Sequence, residues 1–460
     1  MIVKTKRTLV SETPKYINEE ILVEGWINSR RDHGKLIFID IRDRTGLLQV
    51  VFHPKVSEAA YEVANKFHPE DVISVTGKIN KRPERLVNPK IVSGTVELQA
   101  TKAEILSVAH TLPFDMGQEI LDLELPTLLD HRSLTLRHDR VQAIFKIQSA
   151  ILEGFRKISH EMDCIEIITP TIAASSTEGG AEVFCLDYYG HKAFLTQSPQ
   201  LYKQIMVTVF ERVFTIAHAY RAEPSVTTRH LAETTQMDCE FGFVSFTELL
   251  DLYEKAATEM LKYTEKECGG VLKKYNVEPI LFSKIPRLTL REAQEIIFKQ
   301  SGRDVRKEKD LNPQDEIDIC AWAKREHKSD LITITHFPTK KRAFYTMPDP
   351  ENPEFSLSYD LLFRGVEVMS GSQRINDYDQ LVETIKDRGM DPEDFEIYLQ
   401  AFRYGMPPEG GFSFGLERLT MKVLELRNIR EASLFPRDME RIDERFSIIQ
   451  EKTKKIQKHK

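Results

Sequence analysis

Short apolar runs that alternate with polar residues occupy the first hundred residues of the chain. Five runs rich in β-branched and aromatic residues are separated by Gly, Pro, Asn or Asp, and a helical stretch, SEAAYEVANKF, follows the third. The runs are ILVEGWIN, LIFIDIRD, LLQVVF, DVISVTGKI and GTVELQA. Within the second run, Ile37, Ile39 and Ile41 fall on one strand face and Phe38 on the other. This order predicts a small closed barrel with the isoleucines in its core.

A helical pattern begins at Arg140, where apolar residues recur every three or four positions through Phe155. Asp139 is the predicted N-cap of this helix. Further strands are predicted in IEIITP, KAFLTQ, RVFTIAHAYR, MDCEFGFV, AFYTM, FSLSYDLLFRGVEVMSG and GGFSFG, and further helices at about 247–265, 377–389 and 391–404. The strands come in runs and not in strict βαβ alternation, which predicts an α+β domain with an antiparallel sheet flanked by helices.

The segment 109–136 separates the two patterns. It has no clean period and carries Pro113 and Pro126, so we predict a hinge. The expected organisation is a barrel domain at 1–108, the hinge, an α+β domain at 137–440 and a basic tail at 441–460, of which the last ten residues, with five lysines, are expected to be solvated.

Composition limits the classes of protein that need to be considered. The net charge of -7 means that any nucleic acid is held by local patches and not by bulk attraction. Five scattered cysteines form no CxxC pair, which indicates a reducing compartment and argues against a zinc site or a disulfide framework. The N-terminus lacks the apolar segment of a secretion signal, and no apolar run is long enough to span a membrane. We therefore expect a cytoplasmic globular protein.

The barrel carries residues suited to single-stranded nucleic acid. Phe38 lies on the outer face, Gln49 alternates out of phase with its apolar neighbours, and SRRDHGK is interpreted as one basic turn holding Arg30, Arg31, His33 and Lys35. An exposed ring can stack on a base, the cations can bind phosphates, and an amide can bind a base edge. These properties favour an OB-fold that binds RNA. The alternative is that Phe38 packs under a loop and the charges are only solvated.

The second domain lacks the usual ATP loops. It has no GxxxxGK[ST], and GGFSFG lacks the dinucleotide spacing. Instead, YRAE (220–223) is followed by TRHLAE (228–233), and GGFSFGLER (410–418) lies near the C-terminus. Arg221 and Arg229 can clamp a triphosphate from two sides, and the glycines allow close backbone approach beside Arg418.

In this order the three fragments resemble the signature motifs of class II aminoacyl-tRNA synthetases. The long helix and the strand ending at Pro170 resemble motif 1, which forms the homodimer, and YRAE…TRHLAE and GGFSFGLER resemble motifs 2 and 3. The barrel in front narrows the resemblance to the aspartate, asparagine and lysine subgroup. SSTEGGAEVF, QSPQLYKQ and RGVEVMSGSQR are most similar to the aspartyl enzymes. The resemblance implies a ligase that activates L-aspartate with ATP and transfers it to the 3′ end of tRNA(Asp).

The same resemblance assigns an amino-acid pocket. Glu178, in a TEGG loop, would meet the ammonium group of aspartate together with Gln200 and Asp238, and Lys203 and Arg374 would hold its side-chain carboxylate. Two fixed cations in a dry pocket bind a carboxylate well and match a neutral amide poorly, so these cations point to aspartate. The other positions assigned to aspartate are Leu201, Tyr202, Arg221 and Ser370.

For ATP, the resemblance assigns Arg221 to the α-phosphate, Glu223 to the adenine amino group and Arg418 to the γ-phosphate. Arg229 and His230 are assigned to the outer phosphates. The remaining positions are Ala222, Leu231, Glu367, Gly415, Leu416 and Glu417. Glu367 and Ser370 would also hold Mg²⁺, a hard cation that prefers oxygen ligands.

For tRNA, the implied anticodon-binding residues are Arg30, Phe38, Gln49 and Glu97. The third anticodon base distinguishes tRNA(Asp) from tRNA(Asn), and His33 and the turn near Pro83 should approach it. In bacterial relatives, a histidine at the place of His33 accompanies enzymes that also charge tRNA(Asn). Both tRNAs are therefore expected partners, and the alternative is that His33 is only a turn residue.

Three other functions remain open. An asparaginyl enzyme shares the subgroup, an inactive paralogue shares the fold, and an amidating asparagine synthetase shares the catalytic domain but lacks the barrel. About a hundred residues separate FGFV from AFYTM, so the large domain inserted in bacterial relatives is absent and the compact archaeal and eukaryotic layout is expected. The barrel strands, in contrast, look closer to the bacterial form.

Overall fold

The computed structural model describes residues 6–174, 182–224 and 227–450. It divides into two compact units between Leu123 and Glu124, a point inside the segment predicted as a hinge. The second half of that segment is structured, since helices α2 (Leu125–Asp130) and α3 (Arg132–Thr135) open the second unit. No helix in the described ranges is both long and apolar enough to cross a membrane.

The first unit is a closed five-stranded barrel with the strand order β1-β2-β3-β5-β4. Its elements are β1 (Glu20–His33), β2 (Leu36–Asp43), β3 (Gly46–Phe52), α1 (Glu58–Ala64), β4 (Val72–Lys81) and β5 (Val96–Ser107), with 3-10 helices at Val10–Tyr16 and Glu84–Leu86. Ile37, Ile39 and Ile41 are buried in its core, and Phe38 faces outward as predicted. The predicted barrel is confirmed.

The basic segment of the barrel does not form one turn. Arg30, Arg31 and His33 belong to β1, which pairs with β2 as far as His33 opposite Leu36. Only Gly34 and Lys35 make the turn. The prediction was wrong because the hairpin extends beyond the apolar core, where no alternation of apolar residues marks the strand.

The second unit is built on an eight-stranded sheet in the order β12-β13-β14-β15-β16-β11-β10-β6. Its strands are β6 (Ile165–Glu166), β10 (Arg212–Tyr220), β11 (Glu233–Gly242), β12 (Arg287–Thr289), β13 (Leu331–Thr335), β14 (Ser358–Phe363), β15 (Val366–Gln373) and β16 (Glu409–Gly415). A small sheet holds β7 (Ile172–Ala173), β8 (Cys185–Tyr188) and β9 (His191–Leu195). The large sheet is antiparallel except for the pairs β6–β10 and β12–β13.

Helices flank this sheet, as the α+β prediction requires. They are α4 (Asp139–Glu161), α5 (Gln200–Phe210), α6 (Phe246–Leu272), α7 (Leu290–Ser301), α8 (Pro313–His327), α9 (Tyr378–Asp387), α10 (Glu396–Arg403) and α11 (Leu416–Val423), with 3-10 helices at Lys273–Tyr275, Thr339–Lys341, Pro392–Phe395 and Ile429–Ala432. Phe155 of α4 packs edge-on against Phe214 and Phe414 of the sheet, with ring centroids 5.8 and 6.4 Å apart. This contact fixes the long helix to the sheet.

Three details differ from the predictions. The N-cap of α4 is His138 and not Asp139, because the His138 side chain accepts the backbone N–H of Arg140 and Asp139 occupies the first turn. The AFYTM segment is not a strand, since only an isolated bridge joins its Thr346 to Arg374. Its aromatic side chains pack in an apolar cluster with residues of α5, α9 and α10. FSLSYDLLFRGVEVMSG forms two strands, which turn at Gly365 with a φ of 79°.

Candidate active site

A polar surface covers the centre of the large sheet. Asp238 of β11 lies opposite Ser413 of β16, which in turn lies opposite Ser370 of β15. Glu240 lies opposite Gly411 in the same way. Facing residues of antiparallel strands point to the same side, and every second residue does so again, so these side chains share one face. Ser370 and Ser413 line a cavity of about 430 Å³, and Asp238 and Glu240 are fully buried beneath it.

A β-bulge explains how Glu367 and Ser370 reach this cavity together. Three residues apart on a regular strand, they would point to opposite faces. Leu361 pairs with Met369 and Leu362 with Glu367, so Val368 is an extra residue without a partner on β14. The bulge restores the common face, and both Glu367 and Ser370 line the cavity.

Helix α5 places a lysine in the wall of the cavity. Lys203 follows Gln200 by three residues, which puts both on one side of the helix. Its Nζ lies 2.8 Å from Oδ2 of Asp238 and 2.9 Å from Oε2 of Glu240, and the side chain is 1% exposed. Burial lowers the pKa of Lys203, but the two carboxylates more than offset this and raise it overall. Lys203 is therefore a charged, fixed group.

Arg374 supplies a second buried cation. Its Nε lies 2.8 Å from Oε1 of Glu240, and its Nη atoms donate to Oγ of Ser372 at 2.6 Å and to Oε1 of Gln200 at 3.3 Å. Burial disfavours the charge of Glu240, but Arg374 and Lys203 lower its pKa to about 2. Glu240 was missed in the sequence, although its position two residues after Asp238 on a strand was a usable signal.

The structure brings most of the predicted ATP residues to the same cavity. They are Arg221, Glu223, Arg229, His230, Leu231, Glu367, Gly415, Glu417 and Arg418. Nη1 of Arg418 donates to the carbonyl of Glu367 at 3.2 Å. Nη1 of Arg229 lies 2.8 Å from Oε2 of Glu316, which does not line the cavity. The sequence of residues 277–340 gave no indication of this contact. Burial and the charge of Arg418 lower the pKa of His230, which favours a neutral ring.

Five of the described residues predicted for the site do not line the cavity. Asp238 is fully buried beneath it, 2.8 Å from Nζ of Lys203. Leu201 packs in an apolar cluster with Phe344, and Leu416 lies in the main core. Ala222 contributes backbone, since its N–H donates to the carbonyl of Glu182 at 3.0 Å. Tyr202 is half-buried beside the pocket, and burial raises the pKa of its hydroxyl. Glu178 lies outside the described residues.

The residues around Glu367 fit a hard cation. Burial and the charge of Asp360 raise the pKa of Glu367 to about 7, so the two carboxylates repel each other. One oxygen of Asp360 bonds Arg342 at 2.6 Å, while the other is buried without a hydrogen-bond partner in the described ranges. Ser370 adds a hydroxyl, 3.3 Å from Arg342. Each carboxylate has one arginine partner, Arg342 for Asp360 and Arg418 for Glu367. Two neighbouring carboxylates and a hydroxyl are oxygen ligands of the kind that Mg²⁺ prefers, although no group of three or more His, Cys, Asp or Glu forms a metal cluster in the described ranges.

The outer face of the barrel combines the residues predicted for RNA with their own partners. Phe38 is half-exposed and meets His33 edge-on, with ring centroids 5.8 Å apart. Nε2 of Gln49 donates to Glu97 at 3.0 Å. Arg30 donates to three carbonyls at and after the end of α1, so its guanidinium has a structural role within the barrel. Pro83 directly precedes the 3-10 helix at Glu84–Leu86.

The barrel and the cationic, carboxylate-rich face of an antiparallel sheet define an aminoacyl-tRNA synthetase of class II. The chain belongs to the family "tRNA synthetases class II (D, K and N)", whose sequence model matches residues 124–439. The model "OB-fold nucleic acid binding domain" matches residues 21–106. The resemblance inferred from the motifs is thus confirmed.

Individual relatives cover nearly the whole chain. The aspartate–tRNA(Asp/Asn) ligase of Archaeoglobus fulgidus is 40% identical over 93% of this chain and 97% of its own length. The aspartate–tRNA(Asp) ligase of Pyrococcus horikoshii is 39% identical over 94% and 97%. A crystal structure of asparaginyl-tRNA synthetase from Pyrococcus horikoshii with asparaginyl-adenylate is 29% identical, with a TM-score of 0.87 over 96% of this chain and 100% of that chain.

Proposed function

We propose that this protein is an aspartate–tRNA ligase, which forms aspartyl-adenylate from L-aspartate and ATP and transfers the aspartyl group to the 3′ end of tRNA(Asp). The observation that carries the proposal is the pair of buried cations, Lys203 and Arg374, at one end of the cavity. The names of the relatives that share about 40% of the sequence support the same substrate. ATP and tRNA are cytoplasmic substrates, so we assign the enzyme to the cytoplasm.

Binding of aspartate can replace the ion pairs between the buried side chains of the pocket. In the ligand-free protein, Asp238 and Glu240 neutralise the two cations. The ammonium group of aspartate offers Asp238 and Gln200 a new cationic partner, and the side-chain carboxylate offers Lys203 and Arg374 a new anionic one. Such an exchange keeps every buried charge paired, which is the condition for burying charges at low cost. Glu178 is proposed as a further ligand of the ammonium group.

The first step needs positioning more than proton transfer. The α-carboxylate of aspartate is already ionised, attacks the α-phosphorus of ATP, and pyrophosphate leaves. Arg221 is proposed to stabilise charge on the α-phosphate, Glu223 to bind the adenine amino group, and Arg229, His230 and Arg418 to bind the outer phosphates.

Glu367, Asp360 and Ser370 would hold Mg²⁺, which shares phosphate oxygens when bound. The terminal ribose 3′-hydroxyl of tRNA then attacks the carbonyl carbon of the adenylate, and AMP leaves.

The amino-acid assignment is tested by ATP–pyrophosphate exchange. Aspartate should stimulate exchange, and asparagine should not. Exchange stimulated by asparagine alone would make the protein an asparaginyl enzyme, and no exchange with either would make it an inactive paralogue.

We infer further that tRNA(Asn) is a second substrate. His33 and Phe38 project from the β1–β2 hairpin of the barrel, and several relatives bear the name aspartate–tRNA(Asp/Asn) ligase. Transcripts of tRNA(Asp) and tRNA(Asn) should both be charged with aspartate when assayed side by side. An uncharged tRNA(Asn) would restrict the enzyme to tRNA(Asp).

A homodimer through motif 1 is also proposed. Strand β6 lies at the edge of the large sheet, and the residues around it expose apolar side chains. Ile168 is 98% exposed, and Ile165 and Ile172 are also exposed. Such an apolar edge favours contact with a second copy. Sedimentation velocity should give a dimer, and Ile168→Asp should shift it toward the monomer; a monomeric wild type would contradict the proposal.

A further inference from the structure

Glu409 is fully buried beneath the amino-acid pocket, next to Glu240. It opens β16 and pairs with Gly242 of β11, while Glu240 pairs with Gly411. The two glutamates are therefore diagonal neighbours on one face of the sheet, and the residue directly facing each is a glycine. Long side chains reach each other across such a diagonal. A Cβ on Gly411 would lie 2.3 Å from Oε2 of Glu240, so the Glu240 carboxylate occupies the space that this glycine leaves open.

The two oxygens of Glu409 have different surroundings. Oε1 accepts a hydrogen bond from Nε2 of Gln204 at 2.7 Å, and the oxygen of Gln204 is itself bound by Gln200 and Tyr398. Oε2 is buried and receives no hydrogen bond from the described residues. A buried carboxylate oxygen without a donor is costly, whereas a protonated oxygen needs only an acceptor. Glu240 is the neighbouring acceptor, since a hydrogen bond between the two side chains contributes to the raised pKa of Glu409.

The charges around Glu409 favour the protonated form. Burial first, and then repulsion by Glu240, raises the pKa of Glu409 well above its usual range, against the opposing attraction of Arg374. Gln204 and Tyr398 are the other polar groups that face it, and both are neutral amide or phenol groups. With Glu409 neutral, the pocket holds two cations and two carboxylates, Lys203 and Arg374 against Asp238 and Glu240. An ionised Glu409 would leave one negative charge in excess, where an anionic substrate side chain must bind.

We propose that Glu409 is a positioning residue for amino-acid specificity: its protonated carboxyl donates a hydrogen bond to Glu240 and thereby leaves Lys203 and Arg374 able to accept the side-chain carboxylate of the substrate. The hydrogen bond holds the Glu240 carboxylate over Gly411. It also takes up part of the negative charge of Glu240, and this charge competes with the substrate carboxylate for both cations. The inference rests on the proposed function, since it names how the same pocket admits an anionic amino acid.

Two neutral variants separate hydrogen bonding from charge. Glu409→Gln keeps an N–H donor for Glu240, and its KM for aspartate in ATP–pyrophosphate exchange should stay within about threefold of the wild-type value. Glu409→Leu is neutral but cannot donate, and its KM for aspartate should rise roughly 10-fold or more, the usual effect of a lost charge-assisted hydrogen bond. The kcat and the KM for ATP should change much less, because ATP binds elsewhere in the cavity. Thermal unfolding with and without ATP checks that each variant is folded.

The proton itself gives a second test. The difference infrared spectrum between wild type and Glu409→Gln at neutral pH should contain the C=O stretch of one protonated carboxylic acid. A carboxylate band in its place, an unchanged KM in Glu409→Leu, or a KM in Glu409→Gln as high as in Glu409→Leu would each overturn the inference. In all of these outcomes the wild type still activates aspartate, whereas failure of the proposed function would be a wild type that does not.

Discussion

Nζ of Lys203 lies 2.8 Å from Oδ2 of Asp238, and both side chains are almost completely shielded from solvent. The lysine comes from the first turns of α5 and the aspartate from the middle of β11, so a helix–sheet contact sets their distance. Each charge is stable in the interior only because the other is present. Binding of an amino acid must therefore replace partners and cannot simply add a ligand to free cations.

Removing one member of this pair should lower both the stability of the fold and the activation of aspartate, and a double variant can separate the two effects. Lys203→Met leaves Asp238 and Glu240 without their shared cation, which should destabilise the protein by about 3–5 kcal/mol. Aspartate-dependent ATP–pyrophosphate exchange should be abolished. The double variant Lys203→Met with Asp238→Asn removes an opposite charge and should regain much of the lost stability, measured by thermal unfolding, without regaining exchange. A double variant with a normal KM for aspartate would contradict the role of Lys203.

The helices and strands of the protein could be predicted mainly where one face is buried. The alternation in Ile37, Ile39 and Ile41 marks a strand that is buried on one side only, and the three-to-four-residue recurrence from Val141 to Phe155 marks α4. The β1–β2 hairpin was misjudged because Arg31 and His33 continue a strand beyond the core, where polar residues give no period. The aromatic residues of AFYTM predict a strand, but such residues are equally suited to a packed loop, and Phe344 and Tyr345 are buried in one.

The predicted site residues are those that the resemblance to class II synthetases assigns individually. Lys203, Asp238 and Arg374 do converge in one pocket. Glu409 could not be found in this way, because its place beside Glu240 depends on strand register: Gly242 faces Glu409 and Gly411 faces Glu240, and no local sequence pattern encodes that pairing. The bulge at Val368, which turns Glu367 toward the cavity, is equally invisible in the sequence.

Arg221 should affect the chemical step with little effect on folding. Its side chain is 47% exposed, and its nearest acidic partner, Glu223, is 3.7 Å away. Removing one preorganised donor typically costs about 3–4 kcal/mol in the transition state, so Arg221→Gln should lower kcat for exchange roughly 100- to 1000-fold. The thermal midpoint should remain close to the wild-type value. Arg306→Gln, which changes an exposed arginine paired with Asp304, is the matched control and should leave kcat unchanged.

Glu417 predicts a dependence of stability on pH. It is buried at the start of α11 and accepts the backbone N–H of Thr235 at 3.0 Å. Burial raises its pKa from 4.5 to about 7, so the folded state holds this proton more tightly than the unfolded chain. The stabilisation is complete below about pH 4.5 and is lost as the pH rises through 7, by up to about 3 kcal/mol.

Glu417→Gln should remove this part of the pH dependence. The fall in unfolding midpoint between pH 5 and pH 8, measured without ATP or Mg²⁺, should be smaller in the variant than in the wild type. Glu367 and Glu409 contribute in the same direction to both proteins, so the difference between them isolates Glu417. Equal falls in the two proteins would show that Glu417 is already ionised at pH 5.

Substitution of Phe38 should weaken the binding of tRNA and leave the activation of aspartate unchanged. Its ring faces outward on β2 and is oriented by an edge contact with His33. Stacking of one base on an aromatic ring contributes roughly 1–3 kcal/mol, so Phe38→Leu, which keeps the apolar contact but removes the π face, should raise the KM for tRNA(Asp) about 10-fold. Phe38→Tyr keeps the ring and should retain most of the affinity. ATP–pyrophosphate exchange needs no tRNA and should be unchanged in both variants. If the leucine and tyrosine variants charge tRNA equally well, Phe38 packs within the barrel surface and does not stack on the anticodon.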